Sequence, residues 1–335
     1  MKVRELGEFN LIARISEITG QEKGRVVLGI GDDASLLSSR PGFHIVTTTD
    51  MLIEGIHFLR ERIPFRDLGY KSLAVNVSDL AAMGAVPLQA FVSIGLPGDT
   101  DVREVEAFYE GIMEAAGNLL QVSGGDTVSS PAGWAVSITV IGEVRKDREL
   151  RRDAARAGES LYLCGHVGDS AAGLSVILGR VTSLDAKIAD FLVEAHNRPV
   201  PQIEVGMALA ERGISRCAID ISDGLLQDLG HVCRASGVGA AVHLDRLPLT
   251  QEMRAAAAAH GVDPHQWPLT GGEDYSLLFT VAPGRERELD RMIGELGAEA
   301  AHIGEITGGE EITLFLEGER RPLPGTGGYD HFRKG

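Results

Sequence analysis

The chain has 335 residues, 44% of them hydrophobic and 24% charged, the balance of a soluble globular protein with room for two domains. Its 32 Lys and Arg against 48 Asp and Glu leave a net charge of −16, which argues against nucleic acid or an anionic membrane as partner. A phosphate substrate stays open if a divalent metal mediates the contact.

No apolar run is long enough to span a bilayer, and the charges spread through MKVRELGEFNLIARISEI leave no signal-peptide core, so a cytoplasmic protein is expected. Cys164, Cys217 and Cys233 are scattered, with no CxxC pattern, and read as small apolar residues in a reducing compartment.

Taken in chain order, residues 8–19 read as a helix stopped by Gly20, and VVLGI (26–30) as a short buried strand running into GDD. HIVTTTD reads as a strand ending on Asp50, residues 66–84 as a helix ended by Gly84, and QAFVSIGL (89–96) as a strand. Residues 101–121 carry helical periodicity, SGGDT follows, and WAVSITVIGEV (134–144) is another strand. The charge-dense stretch 145–159 marks a boundary, which gives domains at 1–148 and 149–335. Beyond it, SLYLCG, CAIDIS, AAVHL, SLLFTV, AHIGEI and ITLFLEG read as strands. DSAAGLSVIL, 201–212, DGLLQDLGHVCRAS, QEMRAAAAAHG and RERELDRMIGELG read as helices. The fold class is therefore mixed α/β in two halves.

One element raises a chemical question. Asp79 sits within KSLAVNVSDLAAMGAVP, a run of mostly small and apolar residues, where a carboxylate must neutralise itself or meet a cation. Asn76, three residues earlier, shares its helix face. Other acids lie beside glycines or at strand ends: Asp32 and Asp33, Asp50, Asp126, Asp220 and Asp223, and Glu273 and Asp274. Any single Asp after Gly is most often a turn residue or a helix cap. As a group, with Thr48, Thr49 and Ser222 beside them, they form the all-oxygen donor set that a hard cation such as Mg²⁺ takes. The GxxxxGK[ST] loop, the GxGxxG turn, the protein-kinase triplets, the GxSxG elbow and HExxH are all absent. Only six lysines occur, so a lysine clamp on phosphate is not expected. Metals and arginine, with Arg152 one candidate, would have to carry that charge.

In this order, GIGDDAS, TTTDMLIEGIHF, YKSLAVNVSDLAAMGAVP, SGGDT, GDSAAGL, AIDISDGL, GGEDY and GYDHF resemble the thiamine-monophosphate kinases, within the aminoimidazole ribonucleotide synthetase-like superfamily. The resemblance runs from GEFNLIARI to GYDHF, nearly the whole chain. It implies two α/β domains, the first binding ATP and Mg²⁺ and forming a homodimer through its strands, the second supplying substrate-contacting loops and the tail. It implies ATP-dependent phosphorylation of thiamine monophosphate to thiamine diphosphate. By motif position, Asp33, Thr48, Thr49, Asp50, Asp79, Asp126, Asp220 and Asp223 would hold several Mg²⁺ ions, with Asp126 and Asp223 central to catalysis. Gly125, Asp126, Arg152, Ser222 and Tyr109 would line the nucleotide, and His57, Glu273 and Tyr329 would contact the thiamine phosphate. Asp79 is then expected to point at Asp33, Asp50 and Asp126. One departure stands at Ser276, where this family usually has Glu after GGEDY.

That chemistry suits the residues. The nucleophile is a phosphate oxygen whose second pKa is about 6, so no strong general base is needed. The obstacle is repulsion between two anionic groups, which metal ions offset. Two other readings stay open from sequence: an ATP-dependent synthetase of the same superfamily, and a non-catalytic metal- or nucleotide-binding regulator.

Overall fold

The computed structural model describes residues 40–324, together with 14–15, 17–19, 26–28 and 36–37; Asp32, Asp33 and Tyr329 lie outside the described residues, as does most of the expected helix at 8–19. The chain divides into two compact units, Met1–Leu80 with Val86–Lys146 and Ala81–Ala85 with Asp147–Gly335. Strands β1 (Val26–Leu28) and β2 (Leu36–Leu37) form a small antiparallel pair.

The first unit is built on a four-stranded sheet in the order β3-β6-β4-β5: β3 (Phe43–Ile53), β6 (Ala135–Arg145), β4 (Val86–Leu96) and β5 (Gln121–Ser129). Pairing is antiparallel except between β4 and β5, which are parallel. A parallel neighbour needs a crossover, and α2 (Val102–Ala116) lies between the two strands in the chain. Helix α2 opens on an Asp101–Glu104 capping box, and Gly117 closes it, earlier than the periodicity through 121 suggests. Its buried residues Val102, Val105, Phe108, Tyr109, Ile112 and Ala116 recur at helical spacing. It packs closely on α1 (Phe65–Ala82), because a Cβ at Gly69 would lie 1.8 Å from the Phe108 carbonyl oxygen and one at Gly111 equally near that of Arg66.

Strand alternation gives the sheet two unlike faces. Leu52, Val136, Ile138, Val140, Val92 and Ile94 are buried. The register places Ile45, Met51, Val86 and Val128 together on the opposite face, each 45–57% exposed.

One sequence expectation changes here. Asp50 is not at a strand end, because β3 continues to Ile53. SGGDT, to which the sequence pattern assigns no element, is the middle of β5. Its glycines hid that strand, and the register explains why one is required: Gly125 has φ +155°, and a Cβ there would lie 1.9 Å from the Val92 carbonyl oxygen.

The second unit holds a seven-stranded sheet in the order β13-β12-β9-β11-β7-β10-β8. These are β13 (Glu319–Arg321), β12 (Ile312–Leu316), β9 (Gly239–His243), β11 (Ala300–Thr307), β7 (Ser160–Cys164), β10 (Leu277–Val281) and β8 (Ala218–Asp220). Only β12 and β9 pair in parallel. Its core joins Leu161, Leu163, Ile219, Leu229, Val242, Leu278 and Ile303. The helices are α3 (Asp169–Ile177), α4 (Ala186–Asn197), α5 (Ile203–Arg212), α6 (Leu225–Ser236), α7 (Gln251–His260), α8 (Gln266–Thr270) and α9 (Glu286–Leu296). Helix α4 is missing from the sequence reading, although Asp185 caps it by accepting from Lys187 N at 2.9 Å. Among the described residues no helix is long and apolar enough to cross a membrane.

Candidate active site

In the first unit, β3 and α1 bring Thr48, Asp50 and Asp79 together. The Thr48 hydroxyl donates to Asp79 Oδ2. Burial first, and then the Asp79 charge, raise the Asp50 carboxyl from 3.8 to about 6. Two carboxylates and a hydroxyl held this closely present only oxygen ligands, and their mutual repulsion is what a bound cation relieves. Asn76 is fully buried on the same helix; its amide nitrogen donates to the Ser72 carbonyl at 3.1 Å, and its Oδ1 has no hydrogen-bond partner among the described residues.

Asp126 stands elsewhere in the unit. Strands β6 and β4 separate β5 from β3, a backbone distance of roughly 14 Å at about 4.8 Å per strand. Asp126 pairs with Ser93 in a row that continues through Ser137 to Met51, whereas the Asp50 row runs through Ile138, Val92 and Gly125. Directly paired residues share a face, so Asp126 falls with Met51 on the open face and Asp50 with the buried residues. The expectation that Asp79 points at Asp126 is therefore corrected: Asp79 meets Thr48 and Asp50. Thr49 also belongs to the open face, where its hydroxyl accepts from Thr139 at 3.1 Å.

Tyr109 corrects another expectation. It is 2% exposed inside α2, edge-on to Phe108, so its ring has no face left for a nucleotide base. Burial alone raises its phenol. His57, in the turn after β3, accepts from Ile53 N through Nδ1 at 3.0 Å. A neutral ring that accepts at Nδ1 carries its proton on Nε2.

In the second unit, β8 ends on Asp220, 2% exposed, and runs into Ser222, Asp223 and α6. The GGEDY segment holds this loop: Glu273 N donates to Ser222 O and Tyr275 N to Ile221 O, both at 2.8 Å. That pairing needs left-handed backbone at Glu273 (φ +67°) and Tyr275 (φ +52°), and it leaves no room at Gly272, where a Cβ would lie 2.2 Å from Ser222 O. The Glu273 carboxylate lies 3.7 Å from His196 Nδ1, which also contacts Ser170 Oγ at 3.0 Å. Asp274 turns inward and accepts from Gly168 N and Ser170 N at 2.8 and 3.1 Å, and burial raises its carboxyl well above the ordinary range. Ser276 donates to the His166 carbonyl at 2.6 Å, a backbone bond that a longer Glu would not make in the same place.

Sequence reasoning passed over Asp228 and His231 on α6. With Asp223 they place ligand-type atoms within 4.8 Å of one another. Arg152 is exposed, and its charge acts on both Asp228 and His231, so the structure sets it beside this group. The signal was present, since Asp228 falls one turn into the helix that Asp223 and Gly224 introduce.

Each of the two α/β units matches a domain of the AIR synthase related proteins. Residues 31–144 match that family's N-terminal domain and 156–317 its C-terminal domain. The chain is 41% identical over 331 residues to the thiamine-monophosphate kinase of Escherichia coli strain K12, covering 97% of this chain and 98% of that one. Its structure superposes on the thiamine-monophosphate kinase of Stenotrophomonas maltophilia K279a with a TM-score of 0.81 at 34% identity, over 94% of this chain and 98% of the other. It also superposes on AaThiL complexed with AMPPCP and TMP, with a TM-score of 0.76 at 33% identity over 99% of each chain. The chain belongs to the thiamine-monophosphate kinase family.

Proposed function

We propose that this protein transfers the terminal phosphoryl group of ATP to thiamine monophosphate, giving thiamine diphosphate and ADP. The observation that carries the reading is end-to-end similarity to thiamine-monophosphate kinases, together with a relative that binds an ATP analogue and TMP in one complex.

The all-oxygen set of Thr48, Asp50 and Asp79 fits Mg²⁺, and the Asp79 charge, which adds to burial in raising the Asp50 carboxyl, supports that fit. When bound, Mg²⁺ supplies charge neutralisation between the two phosphates that must meet. Thr49 and Asp126 in the first unit, Asp220 and Asp223 in the second, and Asp33 are assigned to the same metal-holding work. Gly125, Asp126, Arg152 and Ser222 are assigned to the nucleotide, and Arg152 supplies a permanent positive charge. His57 would contact the substrate phosphate, and Glu273 would face the cationic thiamine. Tyr329 is assigned to cover the thiamine ring by cation–π contact. Because the acceptor is already an ionised phosphate, the chain's residues hold and align and need not remove a proton. No covalent carrier is assigned, so transfer is direct.

The assignment extends to a cytoplasmic homodimer. The open sheet face bearing Ile45, Met51, Val86 and Val128 supports the dimer, since clustered exposed apolar side chains mark an interaction surface. Three unpaired, buried cysteines agree with a reducing compartment.

The test is incubation with Mg-ATP and thiamine monophosphate. Thiamine diphosphate and ADP should appear in equal amounts, and Asp126→Asn should abolish turnover while leaving the melting temperature unchanged. ATP hydrolysis without thiamine diphosphate would defeat the reading.

A further inference from the structure

We infer that Asp228 is a positioning residue for the reaction: its carboxylate fixes the backbone of Ser222 and Asp223 and so aims the Asp223 side chain. The inference rests on the role proposed for Asp223 and adds a residue to it.

Asp228 is 2% exposed and lies in the first turn of α6. One of its oxygens, Oδ2, accepts from Ser222 N and from Asp223 N, both at 3.0 Å. These amides precede the helix, whose N-cap is Gly224 at φ +108° and has no side chain to bind them. Without Asp228, two backbone donors would be left in a largely buried loop, a situation folded proteins avoid. The other side of the same peptide is held too, because Ser222 O accepts from Glu273 N at 2.8 Å. Gln227 Nε2 then donates to Asp223 Oδ2 at 2.9 Å, which orients the carboxylate itself. Backbone direction and side-chain direction at Asp223 are thus set by two successive residues of one helix.

A metal ion shared by Asp223, Asp228 and His231 is the competing use of this cluster. Three features weigh against it. The Asp228 Oδ2 already accepts two amide bonds. His231 Nδ1 lies 3.2 Å from the Arg234 guanidinium. The charge of Arg152 also acts on Asp228 and His231, so these two side chains already have a positive neighbour.

Three variants separate these uses, each read by steady-state kinetics and by amide hydrogen exchange over residues 221–224. Asp228→Ala should speed exchange and lower kcat, each about tenfold or more, with KM for thiamine monophosphate nearly unchanged. Asp228→Asn keeps an oxygen that can accept both amide bonds, so it should keep the protection and most of the turnover. If Asp228→Asn keeps the protection yet loses turnover as fully as Asp228→Ala, the charge is what matters and the inference fails. Unchanged exchange in Asp228→Ala defeats it as well. Should Asp228→Ala not fold, Gln227→Ala decides: kcat should fall about threefold or more at an unchanged melting temperature, and an unaltered kcat overturns the aiming role. A wild-type protein that leaves thiamine monophosphate unphosphorylated would defeat the proposed function alone, while exchange in Asp228→Ala and Asp228→Asn still tests the placement.

Discussion

Thr48 on β3 donates a hydrogen bond to Asp79 on α1, and burial, with the Asp79 charge added to it, raises the carboxyl of Asp50, two residues along the same strand. A strand and a helix thereby build one acidic cluster whose charges oppose each other. That opposition has a measurable sign.

The Asp50 carboxyl titrates near 3.8 in an unfolded chain and at about 6 in the folded one. Between those values the folded state binds more protons, so its stability falls as pH rises through that window. The cost is absent below the lower value and complete above the upper one, at most about 3 kcal/mol. In metal-free protein, Asp50→Asn should flatten the fall in urea midpoint between pH 4 and 6 relative to wild type. Saturating Mg²⁺ should flatten it in the wild type. Identical pH profiles for wild type and variant would rule out Asp50 as the source.

Thr250 serves two elements of the second unit at once. Its hydroxyl caps α7 by accepting from Met253 N at 3.1 Å, and it donates to Asp169 Oδ1 at 2.5 Å. Thr250→Ala should lose about 1 kcal/mol for the cap and about 1–3 kcal/mol for leaving Asp169 without that partner. Thr250→Ser should recover most of the loss. Thermal unfolding of the pair checks this; equal melting temperatures for the two variants would refute it.

Two helical glycines should respond oppositely to the same change. At Gly69 a Cβ would lie 1.8 Å from the Phe108 carbonyl oxygen, so Gly69→Ala must push α1 and α2 apart and should cost about 3 kcal/mol or more. At Gly294 on α9 nothing among the described residues lies within 4 Å of where a Cβ would stand, so Gly294→Ala should stabilise by up to about 1 kcal/mol. Denaturant midpoints of the two variants should move in opposite directions.

Met51 is 57% exposed on the open sheet face. If that face forms the homodimer, Met51→Lys should shift the mass measured by light scattering from two chains to one, because a charge cannot be buried there unpaired. A dimer of unchanged mass would place the contact elsewhere.

Much of the architecture was legible in local pattern. The helical periodicity over 101–121 announces α2, and the alternation of WAVSITVIGEV announces β6. Where local rules misled, a distant partner had overridden them. The glycines of SGGDT give no strand pattern, but pairing with β4 makes them strand, and the Val92 carbonyl oxygen occupies the space where Gly125 would carry a side chain. The acids of TTTD and SGGDT looked alike in sequence, yet the register puts Asp50 and Asp126 on opposite faces.

The sequence by itself determined the class of fold, the family and the stock of oxygen ligands, because these depend on composition, periodicity and the order of short motifs. Only the tertiary structure decided which of those ligands meet. Thr48, Asp50 and Asp79 come together through strand register and helix packing, Tyr109 is withdrawn into the core of its unit, and Asp228 takes hold of Ser222 and Asp223. The physical reason is that side-chain direction follows from backbone pairing between distant segments, and a shift of one residue in that pairing reverses every face.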